Sequence, residues 1–126
     1  LEQLCGYPIV GMAYPNGPFD ERVIKTIAEN TPIRYSRTPC NTHSFGVQKE
    51  NLLAYEPTVY YIEDCLEEIV DKFLASESEE DQLLYIWGHS YEMDAEYISW
   101  EKFEAVCKKL SGHDDIFYGT NEEVLL

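Results

Sequence analysis

The sequence predicts an α/β fold built from parallel βαβ units, with about four strands and about three helices in a single domain over residues 1–126. Three observations point there. Short apolar runs alternate with amphipathic stretches along the whole chain, turn-forming residues separate them, and 126 residues are enough to bury about two-thirds of the unfolded surface.

Residues 7–14 (YPIVGMAY) read as a buried strand, closed by the turn chemistry of Pro15-Asn16-Gly17-Pro18. Asp20 is placed to cap a helix running to about Glu29, with Val23, Ile24, Ile27 and Ala28 on one face. Pro32 ends that connection, and residues 33–38 form a second short strand. Residues 39–57 carry no sustained period, and a loop of that length in a compact domain is usually functional or an excursion. Ile62, Cys65, Leu66, Ile69, Val70, Phe73 and Leu74 then recur at three-and-four spacing, which specifies an amphipathic helix. Its opposite face and exit, rich in Glu and Asp from Glu63 to Asp81, read as a solvated surface and polar linker. Residues 83–87 (LLYIW) form the best buried strand in the sequence. Ser99 is placed to cap a last long helix with Trp100, Phe103, Val106, Cys107 and Leu110 inward and Gly112 at its end. Residues 116–119 (IFYG) complete the set as a fourth strand. In sheets of this kind sites gather at the carboxyl ends of strands, here residues 14–17, 37–42, 88–94 and 120–122.

Charge narrows the functional classes. Nine Lys and Arg stand against 24 Asp and Glu, a net charge of −15 that repels phosphate backbones and anionic membranes, so neither nucleic acid nor a membrane surface is expected as a partner. No apolar run approaches the ~20 residues of a membrane span. No basic-then-apolar start reads as a signal peptide, but the chain opens on Leu1 rather than Met, so a cytoplasmic and a cell-envelope or secreted location both stay open. Cys5, Cys40, Cys65 and Cys107 are scattered with no C-x-x-C pair, and they read as reduced thiols.

The densest chemistry is Trp87-Gly88-His89-Ser90-Tyr91-Glu92-Met93-Asp94, directly after the strongest strand, where a histidine can serve as acid or base near neutral pH. Gly88-His89-Ser90 also suggests a G-x-S-x-G nucleophile elbow, but the second glycine is replaced by Glu92 and the order Ser…Asp/Glu…His fails. His43, His89 and His113 lack H-x-x-x-H or H-E-x-x-H spacing. The local pairs Cys40/His43 and His89/Glu92 fall short of the three or four ligands zinc needs, so no complete metal site is expected within the chain. The turn at residues 13–17 can present backbone N–H groups at a strand end, as oxyanion holes do. Tyr55, Tyr60, Tyr61, Tyr91 and Tyr97 fall in loops or at loop-facing ends, which suits a carbohydrate-stacking surface as well as packing.

Several of these pieces, in this order, resemble the C-terminal half of a polysaccharide deacetylase domain of carbohydrate esterase family four (NodB homology). The stretches that carry the resemblance are GMAYPNG at 11–17, IRYSRT at 33–38, EPT at 56–58, LYIWGHSYEMD at 84–94, SWEKFE at 99–104 and IFYGTNEE at 116–123. The resemblance implies part of a distorted (β/α) barrel and metal-dependent hydrolysis of N- or O-acetyl groups on a sugar polymer. It implies a divalent metal, usually zinc, held by an Asp and two His from motifs that residues 1–126 do not contain. By resemblance His89 is the general acid, and Asn16 offers its backbone N–H to the oxyanion, standing where the family usually carries an aromatic residue. Tyr14, Pro15 and Gly17 belong to the same turn, Trp87 walls the acetyl pocket, Tyr91 contacts substrate, and Arg37 is a polar residue at a strand end without a secure motif match. The expected partner is an acetylated polysaccharide or oligosaccharide. The alternative is a truncated, non-catalytic carbohydrate-binding or assembly module. A chain holding about half of a barrel of ~200 residues or more would leave a bare sheet edge, for which self-association is expected.

Overall fold

Two helix caps written into the sequence are formed as the residue types dictate. A computed structural model describes the whole chain, Leu1–Leu126. In chain order the elements are α1 (Glu2–Cys5), β1 (Gly11–Ala13), α2 (Glu21–Asn30), β2 (Tyr35–Arg37), a 3-10 turn (Leu52–Ala54), β3 (Val59–Tyr60), α3 (Leu66–Leu74), β4 (Ile86–Trp87), α4 (Tyr91–Asp94), α5 (Trp100–Leu110) and α6 (Asn121–Leu125). Asp20 accepts the Val23 N–H at 2.9 Å to start α2, and the Ser99 hydroxyl accepts the Lys102 N–H at 3.1 Å to start α5. None of the helices is long and apolar enough to cross a membrane.

The α/β class and the parallel pairing agree with the expectation. The strands are shorter than expected and lie in two separate two-stranded sheets, neither of which closes on itself. The chain packs as two compact units, one comprising Leu1–Cys40, Gln48–Glu56 and Tyr118–Leu126, the other Asn41–Val47 and Pro57–Phe117.

In the first unit β1 and β2 pair in parallel, Gly11 against Tyr35 and Ala13 against Arg37. Gly11 is required there: a Cβ at this position would fall 1.9 Å from the Tyr35 ring. A single parallel bridge, Arg37 to Tyr55, continues the ladder, with Tyr55 N–H donating to Ser36 and Thr38 N–H donating to Tyr55. The apolar face of α2 is less covered than its pattern implies, since none of its residues is buried and Val23 stays 39% exposed.

The second unit holds a contiguous core of Val59, Tyr61, Leu66, Ile69, Val70, Met93, Ile98 and Val106. Strands β3 and β4 pair in parallel with Val59 opposite Ile86 and Tyr60 opposite Trp87. Thr58 lengthens this two-residue ladder. Its buried hydroxyl donates to the Leu83 carbonyl at 3.2 Å and accepts the Tyr85 N–H at 2.9 Å. Helices α3 and α5 pack on one another, and Lys102–Glu67 and Lys109–Asp71 ion pairs bridge them at the surface. Such exposed pairs contribute little beside the buried Leu66, Ile69, Val70 and Val106.

Four points differ from the expectation. Residues 116–119 form no strand: Ile116 N–H turns back to the His113 carbonyl at 3.3 Å, and Phe117 and Tyr118 are exposed. A strand needs a neighbouring ladder to satisfy its backbone, and that segment has none. The chain passes from it directly into α6, opened by a Thr120–Glu123 capping box. Strand β3 lies in a stretch not assigned to a strand from the sequence, and α3 begins at Leu66 rather than Ile62 because residues 61–65 turn first. Trp100 and Cys107, expected inward on α5, are exposed; Val106 is the buried residue of that helix, flanked by half-buried Phe103 and Leu110.

A Cβ at Gly88 would sit 1.5 Å from the Tyr61 ring, so Gly88→Ala lowers stability in urea by at least about 1–3 kcal/mol. Gly46→Ala, where a Cβ meets nothing within 4 Å, shifts the urea midpoint far less, and an equal loss in both variants refutes the close-approach argument. Backbone hydrogen bonds at helix starts hold the Asp20 and Glu123 carboxyls below their ordinary range. Their contribution is therefore present above the ordinary carboxylate pKa and is lost as pH falls through the lowered folded values. Acid titration of the Asp20→Asn and Glu123→Gln variants shows correspondingly less acid destabilisation than the parent.

Candidate functional site

The second unit gathers a cluster of aromatic and titratable side chains at the carboxyl end of β4. The parallel register sets Tyr60 beside Trp87, and their rings stack at 4.2 Å with planes 10° apart. The chain then turns at Gly88, whose missing side chain lets the Tyr61 ring lie against the backbone. The Tyr61 hydroxyl donates to the His89 carbonyl. Burial pushes the Tyr61 phenol up, and that hydrogen bond pulls it partly back.

These contacts fix where His89 stands. Its ring lies edge-on to Trp87 at 5.7 Å and to Tyr60 at 6.0 Å, and Tyr91 sits 5.4 Å away on another side. Glu92, buried to 2% exposure, holds the residue twice. One carboxylate oxygen accepts the His89 backbone N–H at 2.9 Å, and the other lies 3.2 Å from His89 Nδ1. The Tyr60 hydroxyl is 3.3 Å from the same Nδ1. With Nδ1 so engaged and the side chain 45% exposed, Nε2 is the nitrogen left to exchange a proton with a ligand. Glu92 was legible in the sequence as the residue that spoils a nucleophile elbow; its role as the anchor of His89 needed the turn between β4 and α4. Ser90, at φ −56° and ψ −29°, has ordinary helical backbone rather than the strained turn that an elbow serine occupies.

Below Trp87 a chain of polar contacts leads away from the histidine. Trp87 Nε1 donates to Asn41 Oδ1 at 2.6 Å, and Asn41 Nδ2 donates to Glu63 Oε1. The second oxygen of Glu63 faces His43 Nε2 at 2.6 Å and accepts from the Cys65 thiol at 3.4 Å. The ligand atoms of His43, Glu63 and Cys65 all lie within 4.8 Å of one another. Burial pushes the Cys65 thiol up, and the hydrogen bond and charge of Glu63 add to that, so Cys65 stands as a thiol and not as an activated nucleophile. This grouping escaped the sequence reading because His43 and Glu63 are twenty positions apart and the loop between them carries no periodic signal.

In the first unit Tyr14, Pro15, Asn16 and Gly17 form the turn after β1. Gly17 N–H donates to the Tyr14 carbonyl at 3.1 Å, with Asn16 at φ 57° and Gly17 at φ 88°. Pro at the second position and Asn with positive φ at the third are the residues a type II turn selects. The Asn16 N–H is taken by no acceptor in the chain. Tyr14 itself is buried, stacked on Phe19 at 4.6 Å, with its hydroxyl donating to the Leu53 carbonyl at 2.7 Å, so it supports the turn from below. Arg37 takes the neighbouring strand end: its carbonyl accepts the Tyr14 N–H and its guanidinium donates to the Thr38 carbonyl at 3.2 Å. The sequence-selected residues therefore assemble as two groups, Trp87, His89 and Tyr91 in one unit and Tyr14, Pro15, Asn16, Gly17 and Arg37 in the other.

The double hold of Glu92 on His89 has a measurable consequence. Glu92→Ala leaves the His89 N–H without its partner and lowers stability by about 1–3 kcal/mol, with faster exchange of the His89 amide in hydrogen-exchange NMR. An unchanged exchange rate refutes that anchoring.

The chain matches no family model, no curated protein and no solved structure.

Proposed function

We propose that the chain is the C-terminal portion of a polysaccharide deacetylase domain, part of a distorted (β/α) barrel that hydrolyses acetyl groups on a sugar polymer. The observation that carries the reading is His89. It comes just after a parallel strand, its Nδ1 is occupied by a buried carboxylate, its Nε2 is left for proton transfer, and stacked aromatic rings stand beside it. A leaving amine or alkoxide needs such a proton donor, and an acetylated sugar ring suits an aromatic wall such as Trp87 with Tyr60. The ordered motif stretches from residue 11 to residue 123 support the same reading.

Each residue then has a chemical task. His89 donates a proton from Nε2 to the leaving group while Glu92 steadies the imidazolium that precedes transfer. Trp87 and Tyr60 exclude water on one side, and the exposed Tyr91 meets the polymer. Within the first unit taken by itself, the N–H of Asn16 has the character of an oxyanion donor, held in place by the turn rather than by its side chain.

The metal of the family is another matter. Its ligand set, an Asp with an H-x-x-x-H pair, does not fit the residues present, whose histidines stand at 43, 89 and 113.

The test uses the natural full-length protein and acetate release from acetylated chito-oligosaccharides. His89→Ala lowers kcat by about 10²–10⁴-fold with metal content unchanged. Normal turnover in that variant sinks the general-acid role. Activity that persists in chelator and disappears in Ser90→Ala replaces the whole reading with a serine hydrolase.

A further inference from the structure

We propose that His43, Glu63 and Cys65 form a binding site for one zinc-class divalent cation, with a fourth position open to water. This stands independently of the deacetylase reading, and none of the three ligands has a task in it.

The donor set comes first. One imidazole nitrogen, one carboxylate oxygen and one thiol sulfur are borderline-to-soft ligands that suit Zn²⁺ or Co²⁺ and disfavour Mg²⁺ and Ca²⁺, which take oxygen alone. Tetrahedral zinc with bonds of about 2.0–2.3 Å sets its ligand atoms roughly 3.3–3.8 Å apart. The three atoms here lie within 4.8 Å of one another, with Nε2–Oε2 at 2.6 Å and Sγ–Oε2 at 3.4 Å. Small rotations, chiefly of the half-exposed His43 side chain at 47%, with Glu63 at 28%, bring them to that spacing.

The carboxylate divides its two oxygens in the manner of a ligated one. Oε2 faces the two other donors, while Oε1 is held by Asn41 Nδ2, and Asn41 is fixed in turn by Trp87 Nε1 at 2.6 Å. Glu63 is thereby oriented by an outer-shell amide before any cation arrives, which is the usual support of a metal-bound side chain. Binding is balanced in charge and atoms. The Cys65 thiol, which now donates to Oε2, releases its proton to solvent. The proton that His43 Nε2 gives to that hydrogen bond passes through solvent to Nδ1, leaving a neutral imidazole, and the His43–Glu63 hydrogen bond gives way to two bonds to the cation. Thiolate, carboxylate, neutral imidazole and a 2+ ion then sum to zero, so the site closes without an unbalanced charge. The −15 charge of the chain adds a favourable field for any cation.

Cobalt titration of the 126-residue chain, kept reduced, tests the assignment. One equivalent of Co²⁺ produces a thiolate-to-cobalt charge-transfer band in the near ultraviolet and intense tetrahedral ligand-field bands in the visible, and one equivalent of Zn²⁺ removes both. Cys65→Ser abolishes the charge-transfer band, whereas Cys5→Ser and Cys107→Ser keep it. Asn41→Ala, which leaves all three ligands, weakens cobalt binding about 10–100-fold. His43→Ala, a change in an exposed loop side chain checked by an unaltered far-ultraviolet dichroism, weakens it at least as much. A charge-transfer band that survives Cys65→Ser, affinity untouched by His43→Ala, or no band in the parent chain at one equivalent overturns the proposal.

Discussion

Much of the second unit hangs on one short register, Tyr60 opposite Trp87 across a parallel ladder two residues long. Side chains alternate faces along a strand, so a slip of one residue would put Ile86 where Trp87 stands and turn the indole to the other face. That single pairing sets the aromatic stack, points the Tyr60 hydroxyl at His89, and aims the indole N–H at Asn41. From Asn41 the chain of contacts reaches Glu63, His43 and Cys65. The setting of His89 and a group of metal-type donors thus share one origin. Packing behind the ladder, chiefly Val59 and Tyr61 against Leu66, Ile69 and Val70, is what keeps two residues' worth of strand in place.

Glycine and asparagine do comparable work at the turns. Gly88 lets the Tyr61 ring approach the backbone so closely that the hydroxyl reaches the next carbonyl. Asn16 tolerates a left-handed backbone and so completes the turn after β1 where a glycine would otherwise be favoured. In each case the residue is chosen for what its backbone must do, and the functional side chains are placed as a result.

Local signals were the readable ones. Asp20 and Ser99 announce their helices because a cap is decided within four residues, and the spacing of Leu66, Ile69, Val70 and Phe73 announces α3 for the same reason. The strands read too long because apolar runs such as residues 83–87, all of them only half-buried, record hydrophobicity and not the backbone pairing that a strand also requires. Residues 116–119 look like a strand by composition alone, yet no partner ladder receives them. His89 stood out as a histidine after an apolar run. Glu92 stood out only as the residue that breaks the elbow pattern and lies three positions from His89; its hold on the His89 amide depends on the turn between β4 and α4. The His43–Glu63–Cys65 group was invisible for a simpler reason: its members are brought together by the irregular path of residues 41–43 and 61–65, for which periodicity offers no guide.

Thr58 carries a consequence of another kind. Its hydroxyl stands in for a backbone group, taking the Tyr85 amide and giving its own proton to Leu83. The end of this ladder is therefore governed by a side-chain torsion. Rotation of Thr58 about χ1 would release the Tyr85 N–H while β3 and β4 stay paired. Because Thr58 is buried, that rotation waits on its packed neighbours, and exchange of the Tyr85 amide reports local loosening around one side chain rather than separation of the strands.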